Sequence, residues 1–233
     1  MAERYRVWVE KVYCIAESND DQATSSDEVY FAFSMADKST TTYLVTDTRE
    51  GVNTGDTFHY WNKWEAKIDS VSDAAKAGLG IVLQDPSKHC LTLWEGPIDG
   101  SLAIHIQGWE EDNGKSPVRD DAAKWLGKIS KWMQRGLQKG GKPNATKANI
   151  RSMWDFVAGV AGVTALILNG MDDDFVGENI VTLEPYTHDA DYVETEVQVG
   201  EWYEQTNDLL NTKKIASKEG AYKLYLRMGK IKS

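Results

Sequence analysis

Alternating apolar and polar positions recur in short runs along most of the chain. Tyr5 to Ile15 mixes β-branched and aromatic residues with loose alternation and predicts a first strand. A polar loop rich in Ser, Asn and Asp follows from Glu17 to Asp27. Glu28-Val29-Tyr30-Phe31-Ala32-Phe33-Ser34 then predicts a second strand, and Thr42 to Thr46 a third. Gly51 to Asp56 is turn material. From Thr57 to Gly78 the pattern is weak, with a helical turn at Asp73-Ala74-Ala75-Lys76-Ala77. Strands are predicted again at Leu79–Leu83 and Cys90–Trp94. Pro97-Ile98-Asp99-Gly100 reads as a hairpin turn leading into Ser101–Trp109, where Leu102, Ile104 and Ile106 point to one face.

The period then changes. Between Asp120 and Leu137, Trp125, Ile129, Trp132 and Met133 recur at helical spacing with lysines on the other face. Asp120 and Asp121 suit the positive end of the helix dipole. Gly140-Gly141-Lys142-Pro143 breaks this helix. A second helix is predicted from about Thr146 to Leu168. Its uncharged stretch, Phe156–Leu168, has 13 residues, fewer than the roughly 20 that a bilayer span requires, so it reads as a buried core helix. Period-2 patterning resumes after Asp174 and ends in a last strand through Tyr222–Met228. Strands, one helical hairpin and strands again imply an antiparallel β-sandwich. The expectation is a single domain over 1–233, with a two-helix insertion over 114–170.

Composition supports a packed fold: 41% hydrophobic and 10% aromatic residues, nine of them Trp, in 233 positions. A net charge of −10 argues against a general nucleic-acid binder, because phosphate neutralisation needs excess Lys and Arg. The charge is uneven. Residues 119–151 hold nine basic side chains against Asp120 and Asp121, a local 9 − 2 = +7, which leaves −10 − 7 = −17 elsewhere. Such asymmetry points to a partner more than to folding. The amino terminus shows no apolar secretory core, which gives the expectation of a cytoplasmic or peripheral membrane protein. Cys14 and Cys90 both lie in strand-like runs and read as buried free thiols.

Acidic residues gather at strand ends. Asp20, Asp21 and Asp27 lie in the first loop, Glu110-Glu111-Asp112 follow the strand ending at Trp109, and Asp172-Asp173-Asp174 precede Phe175. Neighbouring loops of a sandwich cluster at one end, so the three places can meet. Two readings stand side by side, a solvated acidic turn and a site for a hard cation such as Ca²⁺, which takes six to eight oxygen ligands.

Several of these stretches resemble the C2 domain, a calcium- and phospholipid-binding β-sandwich. Asp21 and Asp27 keep the six-residue separation of that family's first loop, and Ser26-Asp27-Glu28-Val29-Tyr30 leads into a strand as its Ser-Asp-Pro-Tyr does, without the Pro. Glu110 and Asp112 match the paired acids that open its third loop, with Glu in place of Asp. Asp173-Asp174-Phe175-Val176-Gly177-Glu178 nearly repeats its Asp-Asp-Phe-Ile-Gly-Glu. Gly200-Glu201-Trp202-Tyr203 and the Gly220-led last strand also fit. The family's central Asn-Pro-x-Trp-Asn-Glu segment has at most a remnant in Trp61-Asn62-Lys63-Trp64-Glu65. The whole helical hairpin splits the third loop.

The resemblance implies a Ca²⁺ site from Asp21, Asp27, Glu110, Asp112 and Asp174. Bound Ca²⁺ would reverse the local potential and draw an anionic membrane surface or a protein partner. Asp172 and Asp173 fall to the turn that ends the insertion. The basic amphipathic helix adds a candidate membrane- or partner-binding row: Lys124, Lys128, Lys131, Trp132 and Arg135. Its plainer reading packs the Trp stripe on the sandwich. The function expected is therefore a non-enzymatic binding module, since the four histidines are scattered and no Gly-rich phosphate loop occurs. Alternatives are a toxin-like pore former whose helical hairpin inserts into lipid, and a carbohydrate-binding lectin using exposed aromatics.

Overall fold

The computed structural model describes residues 3–18, 27–60, 90–111, 117–158, 173–187, 190–207 and 212–231. Two antiparallel sheets face each other. In the first, β1 (Arg4–Ala16) pairs along one side with β12 (Ala221–Lys230), which pairs with β9 (Tyr192–Gly200). Along its other side β1 is shared between β6 (Thr92–Pro97) and β5 (Thr57–Phe58). In the second sheet the order is β3 (Thr41–Val45), β2 (Asp27–Ala36), β7 (Leu102–Glu111), β8 (Asp173–Leu183). The short β4 (Arg49–Val52) also pairs with β2. A separate ribbon joins β10 (Tyr203–Asn207) to β11 (Thr212–Ala216). The mainly β, antiparallel sandwich read from the alternating pattern is the fold of the protein.

The layer between the sheets is apolar and rich in rings. Val7, Val9 and Val12 of β1 and Leu224, Leu226 and Met228 of β12 meet Phe31, Phe33 and Met35 of β2 and Leu102, Ile104 and Ile106 of β7. Phe31 is packed edge-on against Tyr60 and Tyr222, with ring centroids 6.0 and 5.8 Å away. Cys14 and Cys90 are buried free thiols, as expected.

Two helices, α1 (Pro117–Gln138) and α2 (Lys147–Ala158), come between β7 and β8 in the chain and form a third layer on the outer face of the second sheet. The face they cover carries Ala32, Ala36 and Ala103, small enough for Leu126, Ile129 and Met133 of α1 to approach. Trp125 is buried against Trp109, ring centroids 6.3 Å apart. The apolar stripe of the first helix is thus packed on the sandwich, and its plainer reading holds. Residues of the second predicted helix beyond 158, the predicted strand Leu79–Leu83 and the helical turn at Asp73–Ala77 lie outside the described residues. No helix among those described is long and apolar enough to cross a membrane.

One turn was misassigned from sequence. Pro97–Gly100 does not close a hairpin, because β6 pairs with β1 while β7 pairs with β2 and β8. It carries the chain from one sheet to the other. A turn signal specifies a reversal of direction but not the sheet on which the next strand lands.

Candidate functional site

Strand register fixes where the acidic residues fall. Val29 of β2 lies opposite Glu110 of β7, and Glu110 lies opposite Asp174 of β8. Asp27 opens β2 two residues before Val29, and Glu111 lies opposite Asp173. With neighbouring strands about 4.8 Å apart, Asp27, Glu110 and Asp174 stand at one end of three adjacent strands. Of the five ligands implied by the resemblance, these three are brought together by backbone position. Asp21 and Asp112 lie outside the described residues.

Glu110 departs from the expectation of a solvent-facing ligand. It follows Ile104, Ile106 and Gly108 on the face turned to the first sheet, and only 5% of it is exposed. Its neighbour Glu111 is also buried and accepts a hydrogen bond from the Thr48 hydroxyl. Among the described residues no three His, Cys, Asp or Glu side chains form a group able to hold a metal ion.

The glycines at this end have a packing role. A bulge at Val176 shifts the β7–β8 register, so that Gly108 pairs with Gly177 while Trp109 pairs with Phe175. A Cβ on Gly177 would lie 2.6 Å from the Gly200 nitrogen, and one on Gly200, where φ is +84°, would lie 2.4 Å from the Gly220 carbonyl oxygen. The backbones of β8, β9 and the turn into β12 therefore meet directly at this corner. Beside it, Phe175, Trp202 and Tyr203 are exposed. The Gly of the Asp-Asp-Phe-Val-Gly-Glu stretch is required by this contact whatever the carboxylates do.

The basic row is spread along α1. The Leu126 carbonyl accepts from the Ser34 hydroxyl at 3.1 Å and the Gln138 amide donates to the Lys38 carbonyl at 2.8 Å, so the helix runs from the acidic end toward the opposite one. Arg135 lies roughly 27 Å along the axis from Pro117 at 1.5 Å per residue. The row is therefore not gathered at the acidic end. Lys124 falls nearer the acidic end, whereas Lys128, between the contacts at Ser34 and Thr42, lies with Lys131 and Arg135 toward the opposite one. Lys131 and Arg135 are exposed and Lys128 is half-buried. The Trp132 indole is half-buried against the helix–sheet cluster, and the Arg135 guanidinium lies 5.0 Å over the Phe156 ring.

A second polar cluster escaped the sequence reading. His105, fully buried, shares a 2.7 Å hydrogen bond between its Nε2 and Glu178 Oε2, and Trp154 Nε1 of α2 donates to Glu178 Oε1 at 2.8 Å. The signal was present: where Leu102, Ile104 and Ile106 face one way, His105, Gln107 and Trp109 face the other. A third cluster, on the outer face of the first sheet, holds Arg227 between Glu10 (2.6 Å) and Glu194 (2.9 Å), over the ring of Tyr192. There burial raises the Glu10 carboxyl above its ordinary value against the opposing pull of Arg227.

No family model, curated protein or solved structure matches the chain.

Proposed function

We propose that the protein is a non-enzymatic binding module of the C2 type, whose acidic end takes Ca²⁺ and then docks on an anionic membrane surface. The observation that supports this reading is the register that sets Glu110 of β7 opposite Asp174 of β8, with Asp27 two residues before Glu110's other neighbour, Val29, on β2. Exposed Phe175, Trp202 and Tyr203 at the same end suit insertion among lipid head groups. Gathered carboxylates repel one another, and a cation that neutralises them would order the end and turn its potential positive. Lys124, the member of the basic row nearest that end, would add attraction of about 1 kcal/mol near such a surface. The binding-module reading is preferred to a pore former because the apolar face of α1 is already buried on the second sheet.

The test is co-sedimentation with phosphatidylserine-containing vesicles in Ca²⁺ or chelator, alongside dye release. Calcium-dependent sedimentation without leakage, abolished in Asp174→Asn, is the expected result. Leakage would favour the pore former, and sedimentation unaffected by chelator would overturn the calcium role.

A further inference from the structure

Charge is segregated along the chain. Residues 125–158, most of the helical layer, carry seven Lys or Arg against Asp155, a local 7 − 1 = +6, which leaves −10 − 6 = −16 on the remainder. Residues 152–212 hold thirteen Asp or Glu and no Lys or Arg.

The fold turns this segregation into two surfaces. Lys131, Arg135 and Lys139 recur every four residues on α1 and just past its end, and Lys147 and Arg151 do so on α2, so each helix shows one basic stripe. All five are exposed, while Ile129, Met133, Leu137, Met153 and Val157 turn the other way into the cluster on the second sheet. The Arg135 guanidinium over the Phe156 ring of α2 keeps the two stripes adjacent. The acidic surface follows β9, which ends its sheet among the described strands. Asp191, Glu194, Glu196, Glu201 and Glu204 are exposed along this strand and on the chain entering and leaving it. Glu194 and Glu196 are partly neutralised by Arg227 and Lys223, each at 2.9 Å.

The two surfaces adjoin. Trp154 of α2 donates to Glu178 of β8 at 2.8 Å, and Thr182 of β8 donates to the Pro143 carbonyl between the helices at 2.7 Å. β8 in turn meets β9 where Gly177 approaches Gly200. A twofold axis passing between two such neighbouring surfaces sets each basic stripe on the other copy's acidic edge, and so makes the contact twice.

We propose that the basic outer face of the helical layer docks on the acidic β9 edge of a second copy of this chain. Charge complementarity selects that occupant, because the acidic edge is present wherever the basic face is and at equal concentration. The apolar sides of both helices are already packed on the second sheet, so the contact is electrostatic. Its salt dependence is then distinctive. At about 0.01 M ionic strength the Debye length is about 30 Å, and two bodies of net charge −10 repel as wholes. At about 0.15 M it is about 8 Å and the charges at the contact decide, whereas at about 1 M the contact itself is screened. Association therefore passes through a maximum at intermediate salt. This inference does not depend on calcium or lipid.

Sedimentation velocity of the full chain in chelator, from micromolar to millimolar protein, tests it at those three ionic strengths. A mass above that of one chain is expected at the middle value and a single chain at the two extremes. Lys131→Glu with Lys139→Glu should weaken association at least about tenfold, as should Glu201→Lys with Glu204→Lys. Mixing the two double variants sets opposite charges at both contacts again, so the mixture should recover the association that neither variant shows alone. A single chain under all three conditions would overturn the proposal, as would a mixture that stays monomeric. Association that grows up to 1 M salt would assign the contact to apolar surface instead. Chelator-resistant binding to phosphatidylserine-containing vesicles, lost in Lys131→Glu with Lys139→Glu while the unaltered chain stays single, would assign the basic face to lipid and equally overturn it.

Discussion

Along β2, Phe31, Phe33 and Met35 face one way and Tyr30, Ala32, Ser34 and Ala36 face the other. The same strand thus builds two interfaces with different rules. On the inner side the rings are large and the polar tips are matched. Tyr5 donates to Glu3 at 2.7 Å, Tyr60 donates to the Val29 carbonyl at 2.9 Å, and Tyr186 donates to the Ala190 carbonyl at 3.1 Å. On the outer side Ala32, Ser34 and Ala36 are small, and on the next strand His105 Nδ1, the Gln107 amide and Trp109 Nε1 find no partner among the described residues. The first interface is fixed by packing and satisfaction together. The second combines close approach with a few hydrogen bonds to backbone carbonyls, such as Ser34 to Leu126 and Ser130 to Thr42, while several polar atoms between its layers stay unmatched among the described residues.

The sharpest way to break the comparison is to hollow the inner side. Phe31→Ala should cost about 3–5 kcal/mol in chemical denaturation, because the ring is fully buried and touches Phe33, Tyr60 and Tyr222. Loss should appear in every probe at once, strands and helices alike. Overfilling the outer side should do something different. Ala32→Leu should cost about 1–3 kcal/mol and do so mainly by pushing α1 away. Helix amides would lose protection while those of β1 and β12 hold, and equal loss in both would show that the two interfaces are one.

The smallest effect concerns a matched tip. Burial, reinforced by donation to Glu3, raises the Tyr5 phenol from 10.0 to about 12. A folded value above the unfolded one gives a contribution that is complete below pH 10 and fades as pH climbs toward 12. Tyr5→Phe should cost about 1 kcal/mol at neutral pH, and the gap from the unaltered protein should close across that alkaline window. A gap that stays constant to pH 12 would remove the ionisation from the account.

Much of this frame was legible in the sequence. Large residues at Phe31 and Phe33 with small ones at Ala32 and Ser34 already mark a strand with two unlike faces, and Leu102, Ile104 and Ile106 mark the same inner layer. The helical period of Trp125, Ile129 and Met133 gave the third layer. What periodicity does not encode is pairing across distance. Glu178 looked like part of an acidic motif, whereas it joins His105 on one strand to Trp154 on a helix. Glu110 looked like a loop ligand because charge suggests exposure, yet its alternation with Ile104 and Ile106 sets it on the buried face. Of the candidate cation site, the alignment of Asp27, Glu110 and Asp174 was reachable by reasoning about strand ends. The spread of Lys131 and Arg135 away from it was not, since helix direction on a sheet depends on contacts such as Ser34 to Leu126.

The pairing of β1 with β12 has a consequence in time. Tyr5 lies opposite Lys230 and Ala16 opposite Ala221, so the first strand of this sandwich waits for a partner more than 200 residues later in the chain. During synthesis β1 keeps an open edge through almost the whole chain, and closing so long a loop slows the search for native pairing. A strand so exposed is a template for pairing with other chains. Arg6, Glu10 and Lys11, interspersed among Val7, Val9 and Val12, put charge on that waiting strand. They are well placed to keep nascent copies apart until the last strand arrives.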